Sequence, residues 1–475
     1  MRNLFWFLIL GSVSGLLLAG CLWDPTPFEL KTQLPQTFSQ SGQSELPDKW
    51  WEAFGDQDLN TLIDLALENN PSLLATWDRL RQAEALLARE GAARFPSLNG
   101  TMTSSRSRTN DGRQTDRFQL GLSAAYELDL WGRVRANTSA AQFDAEASQA
   151  DVYAAALTLS AQVAKAWYSF IEQRGQLALL ERQITTNEKV LQLVTLRFRQ
   201  GVASAADVLR QQQLIEQTRG ETKDVVAQIE TLGHQLAILI GQAPKSIHLP
   251  TDSLLITLPP LPKTGLPMAL LQRRPDVQGG FYQVQAADAR IAVAIADRFP
   301  NINLTGTITT NLSSTLAGGS FAAAPAGLFS TWLGSIASQV VAPIIDFGQR
   351  ASEVERREAL LSEALNNYEG TVLQAIREVE DALARETQQR GKTVSLERQF
   401  SIATQVIERL RGKYVQGATA YLDVLDALVS QQALERQILT ARRSLIDFRV
   451  DLARALAGGW DLNQPSLREL VPTAG

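Results

Sequence analysis

Phe118-Gln119-Leu120-Gly121-Leu122-Ser123-Ala124-Ala125-Tyr126-Glu127-Leu128-Asp129-Leu130 is the stretch on which the fold turns. Its even positions carry Phe, Leu, Leu, Ala, Tyr, Leu and Leu, and the residues between them are polar or small. Side chains of an extended chain point alternately to its two faces, so a period of two predicts a strand with one oily and one wet side. Length and alternation are those of a strand crossing a membrane in a β-barrel, although the edge of a soluble β-sandwich shares the pattern. A second run behaves alike: Ile302, Leu304, Ile308 and Leu312 are interleaved with Asn301, Asn303, Thr305, Thr307, Thr309 and Asn311. Each run has a weaker neighbour, 97–110 before the first and 329–340 after the second. The connections contain Asn110-Asp111-Gly112 and Gly318-Gly319, which are turn formers. Two hairpins are therefore expected, at about 97–130 and about 301–342.

The first run leads into Asp129-Leu130-Trp131-Gly132-Arg133, and the second region into Asp346-Phe347-Gly348-Gln349-Arg350. Setting Gly132 on Gly348 gives an offset of 216, which also sets Gly201 on Gly417, Asp207-Val208-Leu209 on Asp423-Val424-Leu425 and Leu236-Ala237 on Leu452-Ala453. Upstream of the strands the offset is 204, with Phe95-Pro96 on Phe299-Pro300 and Pro71 on Pro275. The Gly/Ala-rich stretch 316–327 is the obvious candidate for the difference of 12. The chain thus reads as two copies of one long unit, too few to stack as a solenoid, and points to a pseudo-symmetric subunit that closes a ring with others.

Four strands cannot close a barrel, and lipid does not tolerate open sheet edges, so the barrel is expected to be shared between chains. Two chains would give eight strands and a barrel filled by its own side chains; three would give 12 and an aqueous lumen. Small polar residues on the inner face suit the lumen, and hence a trimer.

The remainder reads as helix. From Arg133 to about Gln200 and from Gln349 to about Gln416 there is no proline, and Ala, Gln, Leu and Glu dominate. Roughly 67 residues of helix would make a rod of about 100 Å. Return segments, Ala205 to Ile240 and Ala420 to Ala457, are about half as long, as are the segments Asp58 to Arg94 and Leu266 to Arg298. One long helix can therefore be flanked by two shorter ones stacked end to end. Leu177, Leu180, Ile184, Val190, Leu191, Val194 and Phe198 recur at three-to-four spacing, which predicts helix-on-helix packing and would suit a soluble coiled-coil scaffold equally. The expected organisation is an N-terminal signal at 1–20, a segment 21–57, a first repeat 58–241, a Pro-rich linker 242–265, a second repeat 266–458 and a tail 459–475. The Pro-rich segments 25–47 and 244–267 are expected to form a belt around the middle of the rod.

The long helices turn at Gln200-Gly201-Val202-Ala203 and Gln416-Gly417-Ala418-Thr419, where glycine supplies the left-handed backbone of a helix terminus. Just past the second turn, Asp423 and Asp426 are three apart and share a helix face. The first copy has Asp207 and Arg210 there, so only the second could present a doubled acidic ring.

At the N-terminus, Arg2, the apolar run Leu4 to Leu18 and Leu18-Ala19-Gly20-Cys21 have the three parts of a secretory signal. The run is short for a membrane helix. The Cys resembles that of the bacterial lipobox, which implies cleavage before Cys21, diacylglycerol on its thiol and acylation of the new amine; an ordinary signal peptide is the alternative. Cys21 is the only cysteine, so no disulfide is possible within a chain. Leu22 follows it, where Asp would favour inner-membrane retention in many bacteria. A net charge of −5 gives no electrostatic case for nucleic-acid binding. His234 and His248 share no carboxylate or thiolate cluster, and no phosphate loop or activated nucleophile is visible, so neither catalysis, a metal nor a soluble cofactor is expected.

Taken with Trp50-Trp51, Phe54, Leu59, Tyr126 to Arg133, Arg273-Arg274-Pro275-Asp276-Val277 and Ala457-Gly458-Gly459-Trp460, the chain resembles the lipoprotein branch of the TolC-like outer-membrane factors over nearly its whole mature length. The resemblance implies a mainly α fold with a membrane β part: a homotrimer whose 12 helices form an α-barrel across the periplasm, joined to a shared 12-stranded β-barrel in the outer membrane. It implies an exit duct for small molecules, fed by a periplasmic adaptor and an inner-membrane pump, in a Gram-negative bacterium. A duct for type I protein secretion is the alternative, with a pore-less periplasmic lipoprotein scaffold as a third reading. It further implies that Asp423 and Asp426 ring a closed periplasmic entrance, and that Gly201, Val202, Gly417 and Ala418 meet the adaptor. Thr419 departs from the family pattern, standing where TolC has a basic latch residue. Crowded carboxylates would attract cations.

If Cys21 carries lipid, Cys21→Ser abolishes incorporation of radiolabelled palmitate and blocks lipoprotein processing. Mass spectrometry of the mature N-terminus that finds an unmodified Cys21 refutes the assignment.

Overall fold

The computed structural model describes residues 31–47, 49–110, 114–246, 249, 254–316 and 332–456. Cys21, the signal, His248, the 317–327 part of the inserted stretch and the tail lie outside them. After a short 3-10 turn at Trp50–Phe54, the elements follow in order as α1 (Gln57–Asn69), α2 (Pro71–Ala92), β1 (Ser97–Arg108), β2 (Gln114–Leu128), α3 (Arg133–Arg199) and α4 (Ala205–Leu239). Then come α5 (Pro267–Arg273), α6 (Pro275–Ala296), β3 (Asn301–Leu316), β4 (Leu333–Val341), α7 (Gln349–Val415) and α8 (Tyr421–Ala455). Both long helices, α3 and α7, have 67 residues, and both return helices, α4 and α8, have 35.

The segments 58–94 and 266–298, expected as single helices, are each broken. Asn70 separates α1 from α2, and its side-chain oxygen accepts from the backbone N–H groups of Ser72 and Leu73 at 2.9 and 3.1 Å. Pro71 and Pro275 each open the next helix, where the missing N–H costs nothing, after residues that proline biases away from helix.

The chain divides into two compact units. One comprises Arg79–Ser148 and Gly279–Tyr368 and contains a four-stranded antiparallel sheet in the order β1-β2-β3-β4. The two alternating runs are its central pair, with Leu122 opposite Ile308, Tyr126 opposite Leu304 and Leu128 opposite Ile302. Residues directly opposite share a face, so the register unites the apolar positions of both runs on one side. Met102 and Leu98 from β1 and Ile336 and Val340 from β4 join the same side. That side is bare in the single chain: Met102 is 69% and Ile336 89% exposed. The other side carries Thr101, Thr103, Gln119, Ser123, Asn303, Thr305, Thr307 and Ser335. Among the described residues, β1 and β4 each keep one unpaired edge.

In the same unit, the Trp131-Gly132-Arg133 motif turns β2 into α3. Gly132 takes a φ of 77°, and the Asp129 carboxylate accepts from the backbone N–H groups of Val134 and Arg135, both at 2.9 Å, to satisfy the free donors of the helix start. Arg133 grips Glu127 through two bonds of 2.8 and 2.6 Å. Trp131 stacks on Phe299 with ring centroids 4.8 Å apart and donates its indole N–H to the Pro300 carbonyl at 2.8 Å.

The second unit, Lys31–Asp78, Gln149–Gln278 and the described residues from Glu369 to Leu456, holds the Trp50 core. Trp50, Trp51 and Phe54 are buried with Leu59 and Ile63 of α1 against the Ala156–Ile171 stretch of α3. Trp50 donates to Ser160 at 3.1 Å, and Trp167 to Asp56 at 2.8 Å. Residues 42–44 lie beside 262–263, with Gly42 N–H donating to Pro262 at 3.0 Å and Lys263 N–H to Ser44 at 2.8 Å. Arg449, almost wholly buried, pairs with equally buried Glu386 at 2.6 and 2.9 Å and donates to the Pro259 and Pro260 carbonyls at 2.6 and 2.8 Å. Removing one partner of such a pair leaves an uncompensated charge, at a cost of about 3–5 kcal/mol. Arg274, also buried, joins Asp276, Glu378 and the Ala455 carbonyl.

The alternation generates a test. Arg at Leu122, on the apolar face, should lower the yield of membrane-inserted protein, with a cost of about 2–4 kcal/mol if it sits at mid-bilayer. Arg at the adjacent Ser123 should be tolerated far better. Equal losses in an outer-membrane insertion assay would mean that the two faces are not lipid and lumen.

Candidate functional site at the helix turns

Both long helices end in the same backbone construction. Gly201 takes a φ of 73° and Gly417 one of 79°. In the first turn, Gly201 N–H donates to Phe198 and Val202 N–H to Arg197, both at 2.9 Å. In the second, Gly417 N–H donates to Tyr414 at 3.0 Å and Ala418 N–H to Lys413 at 2.9 Å. This paired closure is a Schellman motif, and it requires the left-handed glycine. Gly201, Val202, Gly417 and Ala418 are all exposed.

The return helices begin differently. Ser204 caps α4: its hydroxyl accepts from Asp207 N–H at 3.2 Å while the Asp207 carboxylate accepts from Ser204 N–H at 3.0 Å. Asp207 also faces Arg210 at 3.5 Å. At the corresponding positions of α8 stand Ala420, Asp423 and Asp426. Ala420 has no side-chain oxygen to cap with. Asp423 instead accepts from the Thr419 hydroxyl at 2.6 Å, and a second carboxylate replaces the arginine. Both aspartates are exposed and one helical turn apart. The first copy therefore uses its carboxylate for capping and neutralises it; the second presents two. Thr419, lacking the charge of a latch, holds Asp423 from within its own turn.

Behind the turns α3, α4 and α8 are tied by buried polar groups. The Tyr421 hydroxyl donates to Gln211 Oε1, Gln211 Nε2 donates to the Asn187 carbonyl at 2.8 Å, and Gln432 Nε2 donates to Asn187 Oδ1 at 2.9 Å. Further along α3 and α8, Gln183 accepts from Arg436 at 2.7 Å, and Glu172 accepts from Thr440 at 2.9 Å. Burial pushes the Tyr421 phenol well above its ordinary pKa, so the hydroxyl keeps its proton and remains a donor. Arg197 lies 4.4 Å from the Tyr414 ring centre and donates to the Val415 carbonyl at 3.2 Å, joining the ends of α3 and α7. Val194, Leu214, Ile407, Val424, Leu425 and Leu428 fill the space between these polar ties.

Sequence reasoning reaches the glycines and the aspartates but misses Gln211, Asn187 and Gln432. Their signal, a polar residue on an otherwise apolar helix face, is diluted in a chain so rich in glutamine. The six-carboxylate ring cannot be formed by one chain, which supplies only the pair.

The fold, a sheet with one apolar face joined to helices of 67 residues, is similar to that of the outer-membrane channel OprN, whose solved structure superposes with a TM-score of 0.83 at 26% identity, covering 92% of this chain and 99% of that one. The sequence pattern described as outer membrane efflux protein matches residues 62–242 and 266–458, and the chain belongs to that family of channels. Among its relatives in Pseudomonas aeruginosa, the pyoverdine export outer membrane protein OpmQ is 30% identical over 95% of this chain and 97% of its own length. The outer membrane protein OprJ of the same species is 31% identical over 86% of each. The protein is thus an outer-membrane efflux channel of a Gram-negative type, as the motif resemblance implied.

Tyr421→Phe removes the donor that satisfies Gln211, leaving a buried acceptor at a cost of about 1–3 kcal/mol. Hydrogen–deuterium exchange should quicken at the starts of α4 and α8 while the sheet is unaffected. Unchanged exchange there would mean that the tie holds nothing.

Proposed function

We propose that three copies of this chain form the exit duct of a tripartite efflux system, passively conducting small molecules received from an inner-membrane pump through a periplasmic adaptor. One observation carries the reading: a four-stranded sheet with an apolar face and two unpaired edges. Every backbone group in hydrocarbon needs a partner, so such a sheet needs other chains to complete it. Threonine, serine and asparagine on the opposite face favour a water-filled 12-stranded barrel over a packed eight-stranded one. The equal lengths of α3 and α7, and of α4 and α8, support a duplicated unit that contributes twice to a 12-helix α-barrel.

In this reading the chain begins with the 1–20 signal and is anchored by lipid on Cys21. The 21–57 segment and the 242–265 linker form the equatorial belt, repeats 58–241 and 266–458 form the two halves of the wall, and 459–475 is a tail. The exposed turns at Gly201-Val202 and Gly417-Ala418 receive the adaptor. Asp423 and Asp426 converge from three copies on the periplasmic entrance, where six like charges repel and require cations, protonation or packing to be held close. The exposure of both carboxylates and the absence of the arginine that neutralises Asp207 support that role.

The double variant Asp423→Asn/Asp426→Asn should weaken block of single-channel current by divalent cations added to the periplasmic side of planar bilayers. Wild-type channels insensitive to those cations, or a double variant blocked as strongly as wild type, would make the aspartates ordinary surface residues.

A further inference from the structure

The chain joins its two halves across β2 and β3, and the joint is finished at one end by Trp131 on Phe299-Pro300. The offset of 216 that sets Gly132 on Gly348 also sets Trp131 on Phe347, and the offset of 204 sets Phe299-Pro300 on Phe95-Pro96. The parts of a second joint of the same kind are therefore present, but one chain cannot bring them together, because they lie at the two outer strands. Both are bare: Phe347 is 99% and Phe95 72% exposed. Phe347 also sits at a φ of 51°, an unusual backbone for a bulky residue, which projects it from the turn before α7.

The strand lengths point the same way. β2 is paired with β1 only as far as Ala125, opposite Ser97, but continues to Leu128 because β3 accompanies it, Leu128 lying opposite Ile302. β4 stops at Val341, opposite Asn301. Val341 is the counterpart of Ala125 under the same offset, so β4 ends where β3, its only neighbour among the described residues, begins. The residues that would continue it, Ile344 and Ile345, are 90% and 76% exposed.

We infer that Phe347 of one copy packs on Phe95 and Pro96 of the next, as the intermolecular counterpart of Trp131 on Phe299 and Pro300, with β4 extended toward Ile344 along β1 of that copy. Carrying the β2–β3 register over by the two offsets sets Val340 opposite Met102 and Ile344 opposite Leu98. All four residues then fall on the apolar side, which a shift of one residue would undo. Phe347 has no indole N–H, so the joint between copies lacks the hydrogen bond of the joint within a chain. This inference rests on the trimeric reading above and assigns the residues that close it.

The test uses full-length protein in isolated outer membranes. Phe95→Cys with Phe347→Cys, treated with a bis-maleimide, should give species of two and three chains on denaturing gels. Each single variant, which retains Cys21, should give none. The control pair Trp131→Cys with Phe299→Cys should react within the chain and leave its mass class unchanged. Met102→Cys with Val340→Cys should oxidise to an intermolecular disulfide, since opposed residues have Cβ atoms about 4.5–5.5 Å apart. Thr101→Cys with Val340→Cys, on opposite faces, should not. If the Phe347 pair fails to assemble, the Val340 pair decides whether the same joint exists. A trimer by native mass spectrometry with a reactive control but no intermolecular species overturns the joint and leaves the trimer standing. A wild-type protein that is not trimeric overturns the reading beneath it.

Discussion

An amide in hydrocarbon must find its hydrogen-bond partner within protein, and this constraint organises the chain. The alternation along β2 and β3 meets a second demand, one oily face and one wet, and the oily face is bare in the single chain. If further copies complete the sheet, as proposed, two strands from each half suffice per chain. The aromatic stack of Trp131 on Phe299 and the Asp129 cap then convert the last residues of β2 into a helix start, with two of its first backbone donors met by one carboxylate.

The helical part answers a different demand. With apolar residues shared among several neighbours, no single face of α3 or α7 is strongly oily, and specificity comes from buried polar groups that tolerate only one partner. Arg449 with Glu386, Arg274 with Asp276 and Glu378, and Tyr421 with Gln211 each fix one helix against another or against the Pro-rich segment. Such groups add little net stability when satisfied but make misplacement costly. In a chain whose two halves share a pattern, that is a means of keeping one half from adopting the other's neighbours.

How much is legible in the sequence depends on the range of the cause. The strands, the long helices and the glycine turns follow from local alternation, proline-free runs and left-handed backbone, and each is visible in a window of a dozen residues. The breaks at Asn70-Pro71 and Arg274-Pro275 do carry a local mark, since proline cannot continue a helix but suits the first turn of the next, and Pro275 reads as a helix start from the sequence alone. The partners of Gln211 and Arg449 are 210 and 63 residues away, respectively, and no local signal announces such pairs. Asp423 and Asp426 stand out by their spacing. That the equivalent carboxylate of the first copy is taken up by Ser204 and Arg210 is clear only from the geometry.

That last difference makes the chain heteromeric within itself. One turn leads into a serine-capped helix whose carboxylate faces an arginine, the other into a helix without a side-chain cap that exposes two carboxylates, one of them held by Thr419. In the proposed ring of copies, two kinds of turn would alternate strictly, and the true rotational order would be half the number of turns. Any protein that seats itself symmetrically on all of them meets two inequivalent sockets, and must either carry two binding modes in one sequence or leave every second socket less tightly filled.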